Sequence, residues 1–121
     1  MILVDSCIWI DFLSGRSDHD MQALLAENKV AVCGTVMAQV LSGVRGVKNR
    51  SLLEQRMSAL PYLPETREVF VRGADLYSEL RRKGVTVPLS DCVIAAVCMI
   101  NRVPLESTDA HFEHFAGLKR C

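Results

Sequence analysis

Three aspartates stand where an α/β protein could assemble a reactive site. Asp5 ends the apolar stretch 2–4, Asp109 follows a second stretch at 103–105, and Asp91 lies in the first turn of a strongly apolar segment. If the two stretches are parallel strands, their carboxyl ends meet at one edge of a sheet and the three carboxylates converge there. Taken singly, each aspartate is also an ordinary helix-start or turn residue.

Converging carboxylates form a site for a hard divalent cation. Like charges in one cleft raise each other's pKa unless a cation neutralises them. Oxygen ligands with little histidine or cysteine nearby favour Mg²⁺ or Mn²⁺ over Zn²⁺. Such a cation polarises a phosphate, lowers the pKa of a bound water and neutralises charge on the leaving oxygen. The constellation therefore suits hydrolysis of a phosphodiester.

The elements that must position these residues are short apolar strands alternating with helices. Strands are predicted at 2–4, 30–33 and 103–105, with two further short strands at 62–63 and 118–119. Helices are predicted from the cap Ser6 to Leu13, at about 18–28, from the cap Thr35 to Val44, at 53–60, at 67–83 with Gly84 at its end, at 91–101 and at 109–114. This alternation predicts a three-layer α/β/α fold whose central, mainly parallel sheet has four to five strands.

Length and composition indicate one globular domain over residues 1–121. Hydrophobic residues make up 50% of the 121 residues and charged residues 23%, which argues against disorder. No apolar run reaches the roughly 18 residues of a membrane span, and the first residues lack the basic flank of a secretory signal. A cytoplasmic protein is expected. The net charge of zero gives no general attraction to nucleic acid.

The five cysteines indicate free thiols rather than disulfides. Their number is odd and no two are spaced as C-x-x-C. Unpaired thiols are typical of a reducing compartment. A zinc site formed by His111, His114 and Cys121 is the alternative, although a structural zinc site normally has four closely placed ligands.

Three segments resemble the acidic motifs of the PIN domain family, and in particular of its VapC-type toxins. They read VDSCIWID at 4–11, LSDCVIAA at 89–96 and LESTDAHF at 105–112. Each motif is short, but their order and spacing span the whole chain. The combination is therefore far more specific than any one motif.

The resemblance implies an endoribonuclease toxin that uses Mg²⁺ or Mn²⁺. In that family Asp5, Asp91 and Asp109 would hold the metal directly or through water, and in-line attack by water would leave a 5′-phosphate and a 3′-hydroxyl. The chain would form a homodimer and be silenced by a VapB-like antitoxin. Side chains implied to orient the carboxylates are those of Ser6, Ser107 and Thr108.

The chain departs from the family at the second acidic position. The family places a glutamate in the helix after the second strand, and Gln39 stands there in this sequence. An amide oxygen still binds a hard cation, but it is neutral and cannot act as a general base. Metal binding and activation of water should both be weaker than with four acids.

Three interpretations of Gln39 remain open. In the first, the site works with three aspartates plus Gln39, with Mn²⁺ as the preferred ion. In the second, a further acid, Asp11 or Glu106, compensates for the missing glutamate. In the third, the chain is an impaired PIN module that binds RNA or antitoxin without efficient cleavage. The three retained aspartates favour the first, because a site that has lost its function need not keep its ligands.

The sequence argues against two other functions. A haloacid-dehalogenase-like phosphatase needs a second aspartate two residues after the first, where this chain has Cys7, and the paired acids of a receiver domain are also missing. The apolar segments at 91–101 and around Leu41 fit the core better than a surface for a dimer partner or an antitoxin. Trp9 is likewise expected in the core rather than stacked on a base.

Overall fold

A parallel sheet forms the centre of the protein. The computed structural model describes residues 1–16 and 20–121, and its sheet has the order β2-β1-β3. Its strands are β1 (Ile2–Val4), β2 (Val30–Ala31) and β3 (Leu105–Glu106). The central residue Leu3 pairs with Ala31 on one side and with Leu105 on the other. Asp5 therefore leaves the sheet from its middle strand.

The predicted α/β class with a parallel sheet is confirmed, but the predicted number of four to five strands is wrong for the described part of the chain. The expected strands at 62–63 and 118–119 are reduced to isolated parallel bridges, Val32 to Tyr62 and Leu105 to Arg120. Proline has no N–H to donate to a neighbouring strand, and prolines at 61, 64 and 104 flank these pairings.

In the part of the chain that the structure describes, six helices flank the sheet. They are α1 (Ser6–Leu13), α2 (Met21–Ala26), α3 (Gly34–Ser42), α4 (Val47–Ser58), α5 (Arg67–Arg82) and α6 (Leu89–Asn101), and a 3₁₀ turn follows at Ala110–His114. The predicted start of the second helix at residue 18 lies outside the described residues. At α1 the predicted cap Ser6 is wrong, because Asp5 is the N-cap and its side chain accepts from the Ser6 N–H.

The core is built around α6, as its composition predicts. Every residue from Asp91 to Cys98 is buried. Helix α5 packs on α6 at Gly73, where an added Cβ would lie 3.2 Å from Cγ2 and 3.3 Å from Cα of Val93. An added Cβ at these distances would force Val93 and its backbone to move by a few tenths of an ångström. Trp9 is 3% exposed, which confirms its place in the core.

The cysteines are free thiols, as expected, and most are buried. Cys33, Cys92 and Cys98 lie in the interior, and only Cys121 is exposed. Burial raises the pKa of the Cys33 thiol to about 12, so this side chain stays neutral. Within the ranges 1–16 and 20–121, no helix is long and apolar enough to cross a membrane.

Glu65 holds the start of α3 in place. The helix begins at Gly34, one residue before the predicted cap Thr35, and its N-cap residue Cys33 makes no side-chain capping bond. Instead, the Glu65 carboxylate accepts from the Thr35 N–H at 2.5 Å and from the Thr35 hydroxyl at 2.6 Å. A carboxylate at this end of a helix satisfies a free N–H and interacts favourably with the helix dipole.

Replacing Glu65 with alanine should lower the free energy of unfolding by about 2 kcal/mol. The change removes two hydrogen bonds to a charged group and leaves a helix N–H without its partner. Chemical denaturation of the wild type and Glu65→Ala would measure the difference, with Glu54→Ala on the exposed face of α4 as control. Equal losses in both variants would show that Glu65 does not anchor α3.

Candidate functional site

Asp5 is buried and held by three hydrogen bonds. Its side chain is at the end of β1, and the residue is only 4% exposed. Oδ1 accepts from the Ser6 N–H at 2.8 Å, and Oδ2 accepts from the Ser107 hydroxyl at 2.8 Å and from the Cys7 thiol at 3.4 Å. The carboxylate orientation is therefore fixed by neighbours from both ends of the chain.

Ser107 connects Asp5 to the segment that carries Asp109. Its hydroxyl donates its proton to Asp5 and accepts from the Asp109 N–H at 3.1 Å. Its own carbonyl accepts from Arg120 Nη2 at 2.8 Å, which fixes the turn from the other side. Thr108 does not share this role, since its hydroxyl contacts Cys7 Sγ at 3.6 Å.

Asp91 and Asp109 meet at the ring of His111. His111 Nδ1 lies 2.9 Å from Asp91 Oδ2 and 3.2 Å from Asp109 Oδ1. The His111 N–H also donates to Asp109 Oδ1 at 2.9 Å. One ligand atom from each of the three side chains lies within 4.8 Å of the other two, so together they could hold a metal ion.

The three aspartates influence one another electrostatically. Burial raises the pKa of the Asp91 carboxyl above its usual range, and the negative charges of Asp109 and Asp5 raise it further. The hydrogen bond and charge of His111 work in the opposite direction. The structure thus brings Asp91 and Asp109 together with His111, whereas Asp5 is not part of this group of possible ligands but is near enough for its charge to act on Asp91. A bound cation would relieve the repulsion among the three acids.

Gln39 lies on α3, which follows β2 at the same edge of the sheet. Its side-chain oxygen Oε1 is buried and has no hydrogen-bond partner. A buried acceptor without a partner is costly, and a cation or water at this edge would satisfy it. This buried amide oxygen, on the helix that follows β2, is therefore a further candidate ligand for a hard divalent ion.

The two compensating acids from the sequence lie in other contacts. Asp11 is close to Arg16, with 3.8 Å between Oδ1 and Nη2, and both side chains are largely exposed. Glu106 forms a hydrogen bond with the Cys121 thiol and helps to raise its pKa, after the larger effect of burial. Neither contact supports a substitute for the missing glutamate.

The sequence comparison decides the family. The PIN domain model matches residues 2–118. The chain belongs to the PIN domain family. Ribonuclease VapC11 of Mycobacterium tuberculosis is 28% identical over 125 residues, an alignment that covers 98% of this PIN domain chain and 93% of the relative.

Solved structures share the fold. The structure of VapBC2 from Rickettsia felis, bound to a DNA fragment from its promoter, matches this PIN domain with a TM-score of 0.82 and 19% identity. DNA-bound VapBC from Salmonella typhimurium matches with a TM-score of 0.84 and 17% identity. Both alignments cover 100% of this chain and 98% of the other, so the likeness extends over the whole PIN fold.

His111 is the site residue that sequence reasoning missed in this PIN domain. The sequence suggested His111 only as part of a zinc site with His114 and Cys121. In the described part of the chain, the group of possible metal ligands that contains His111 includes neither His114 nor Cys121. The available signal was the spacing Asp109-x-His111. Asp109 caps a short turn, and its carboxylate accepts from the His111 N–H. With this spacing the His111 ring also lies beside the Asp109 carboxylate.

Replacing Ser107 with alanine should lower RNA cleavage or metal affinity by about 10–100-fold, because the hydroxyl orients Asp5 and supports Asp109. The change also removes a hydrogen bond to the buried Asp5 carboxylate and one to the Asp109 N–H, so the melting temperature should fall as well. Steady-state cleavage assays and thermal melts would separate the two effects. Ser78→Ala on the exposed face of α5 is the control, and equal cleavage by both variants would contradict the orienting role.

Proposed function

We propose that this PIN domain is a metal-dependent endoribonuclease, the toxin of a type II toxin–antitoxin pair. The observation that carries the proposal is the convergence of Asp5, Asp91 and Asp109 at one sheet edge, with two of them buried. Buried, mutually repelling carboxylates are unfavourable without a cation, so their retention together favours a metal site. The relatives that are named ribonucleases support RNA as the substrate.

The side chains that would hold the ion are those of Asp5, Asp91 and Asp109, and Gln39 would contribute its free amide oxygen. The ion is Mg²⁺ or Mn²⁺, in keeping with oxygen ligands. When bound, it supplies a Lewis acid that polarises the phosphate, activates water and stabilises charge on the leaving oxygen. The unpartnered Gln39 Oε1 is the structural support for that assignment.

The chain's own residues divide the remaining tasks. Ser107 and the Ser6 N–H fix the Asp5 carboxylate, so its oxygens need no reorganisation during the reaction. His111 donates its backbone N–H to Asp109 and holds that carboxylate beside Asp91. The side chains of Asp109 and His111 are 37% and 45% exposed, whereas Asp91 is 11% exposed. RNA therefore approaches from the side of Asp109 and His111.

Cleavage of a mixed pool of single-stranded RNA by the purified chain tests the proposal. Wild type should cut with Mn²⁺ or Mg²⁺ and should stop when a chelator is added. Asp5→Asn should be inactive, whereas Asp11→Asn should cut like wild type because Asp11 faces solvent beside Arg16. Metal-independent cutting, or equal cutting by Asp5→Asn, would overturn the assignment of the site.

A VapB-like antitoxin is the proposed partner in the cytoplasm. An apolar groove of about 280 Å³ lies between α1 and α4, and exposed Ile10 and Val47 add to the apolar surface of these two helices. Exposed apolar surface of this kind favours an amphipathic partner segment. The residues lining the groove are Leu13, Val44, Asn49, Leu52, Leu53 and Arg56.

Co-expression with a candidate VapB-like antitoxin would test the partner. We expect a stable complex that suppresses RNA cleavage and that Leu52→Asp weakens without unfolding the chain, since Leu52 is 48% exposed. Light scattering on the same samples would measure the proposed homodimer. A complex unaffected by Leu52→Asp would place the antitoxin on another surface.

A further inference from the structure

His111 adds a nitrogen atom to a cluster of carboxylate oxygens. Its Nδ1, not a ring carbon, faces the cleft, at 2.9 Å from Asp91 Oδ2 and 3.2 Å from Asp109 Oδ1. Those two oxygens belong to two of the three aspartates proposed to hold the metal. A ring nitrogen so close to both is at the position from which an imidazole lone pair can reach an ion bound between them.

The backbone fixes this arrangement. Asp109 caps the 3₁₀ turn and accepts from the His111 N–H at 2.9 Å, so the histidine is tied to one ligand by its main chain. Its side chain is still 45% exposed, which leaves the ring free of packing that would prevent a small adjustment toward an ion.

We infer that His111 is a direct nitrogen ligand of the divalent metal, beside Asp91 and Asp109, and that it shifts the preference of the site from Mg²⁺ toward Mn²⁺. The inference rests on the proposed metal-dependent function and adds to it a residue outside the three-aspartate set. Imidazole binds transition metals well and Mg²⁺ poorly, so one nitrogen in an otherwise oxygen site favours the transition metal. Because Gln39 is neutral where the family has a glutamate, an additional donor from His111 would contribute more to the affinity for the ion.

A competing role gives the opposite result in the same measurements. If His111 only bridges the two carboxylates with a proton in the metal-free protein, a metal ion must displace it. Removing the ring would then raise the affinity for every divalent ion. If His111 is a ligand, removing the ring lowers the affinity, and more for Mn²⁺ than for Mg²⁺.

Titration of the purified chain with MnCl₂ or MgCl₂, without RNA, tests the inference by calorimetry. We expect His111→Leu to bind Mn²⁺ about tenfold more weakly and Mg²⁺ nearly as wild type does, corresponding to about 1.4 kcal/mol for Mn²⁺. His111→Asp should favour Mg²⁺ relative to wild type, because it replaces nitrogen with a hard oxygen. His114→Leu is the matched control, since His114 is exposed on the same turn.

Pulsed electron paramagnetic resonance on the Mn²⁺-loaded protein supplies a direct signature. Wild type and His114→Leu should show coupling of Mn²⁺ to a ¹⁴N nucleus, and His111→Leu should lack it. Mn²⁺ binding without this coupling in wild type, or tighter binding by His111→Leu, would overturn the ligand role and leave the nuclease proposal intact. A wild type that binds neither ion would overturn both.

Discussion

Replacing Asp91 with asparagine should abolish RNA cleavage and stabilise the metal-free protein. Activity should fall by at least about a hundredfold, because the variant loses a charged ligand of the proposed metal. The melting temperature in the presence of a chelator should rise by about 3–6 °C, or roughly 1 kcal/mol. The physical reason is the setting of Asp91, whose side chain is only 11% exposed and lies near two other acids.

The stabilisation should depend on pH in a definite direction. Because burial raises the pKa of Asp91 in the folded state, its ionised form destabilises the fold above that raised pKa. The gain from Asp91→Asn is therefore full at pH values above the raised pKa. It should shrink as the pH falls toward about 4, where the unfolded chain also binds the proton.

Thermal melts across this pH range, with and without Mn²⁺, would check both parts. Asp75→Asn is the matched control, because Asp75 is exposed on α5 and its removal relieves no buried charge. Mn²⁺ should raise the melting temperature of the wild type and of Asp75→Asn. The increase should be much smaller for Asp91→Asn, which lacks a ligand of the proposed metal. A drop in stability for Asp91→Asn in chelator would show that the His111 contact outweighs burial and repulsion.

Replacing Gln39 with glutamate should raise metal affinity by about tenfold or more while destabilising the metal-free chain. The new carboxylate puts a negative charge at a buried position where Oε1 now has no hydrogen-bond partner. Without a cation beside it, this buried charge destabilises the folded chain. Cleavage should then reach its maximum at a lower Mn²⁺ concentration. Metal-dependent melting and cleavage as a function of Mn²⁺ concentration measure the two effects.

Gln55→Glu on the exposed face of α4 provides the same chemical change away from the site. It should leave both the melting temperature and the metal dependence of cleavage near those of wild type. If Gln39→Glu behaves like Gln55→Glu, the side chain at position 39 does not reach the ion, and three aspartates with His111 form the whole ligand set.

The sequence predicted the parts of the site that depend on topology. Parallel strands bring the residues that follow their carboxyl ends to one edge, so Asp5, directly after β1, and Asp109, three residues after β3, were predictable from the apolar stretches. The core position of α6 was equally predictable, because a helix apolar on all sides has no face for solvent. These inferences need only periodicity and chain direction.

The missed features depend on distances that the sequence does not contain. His111 reaches Asp91 across 20 residues of chain, and Glu65 reaches Thr35 across 30. Both contacts join a loop to a helix start, where the path of the backbone decides which side chain arrives. The predicted number of strands was wrong because side-chain patterns do not show how many backbone hydrogen bonds can form. Prolines beside the paired residues limit these pairings to isolated bridges.

The bond from Ser107 to Asp5 also makes the site depend on contacts that are distant along the chain. It joins residues 102 positions apart, and β1 pairs with β3, which follows it across most of the described residues. A chain that stops before β3 contains Asp5 but lacks Ser107, Asp109 and His111. We therefore expect such a truncated product to be unable to assemble the proposed metal site.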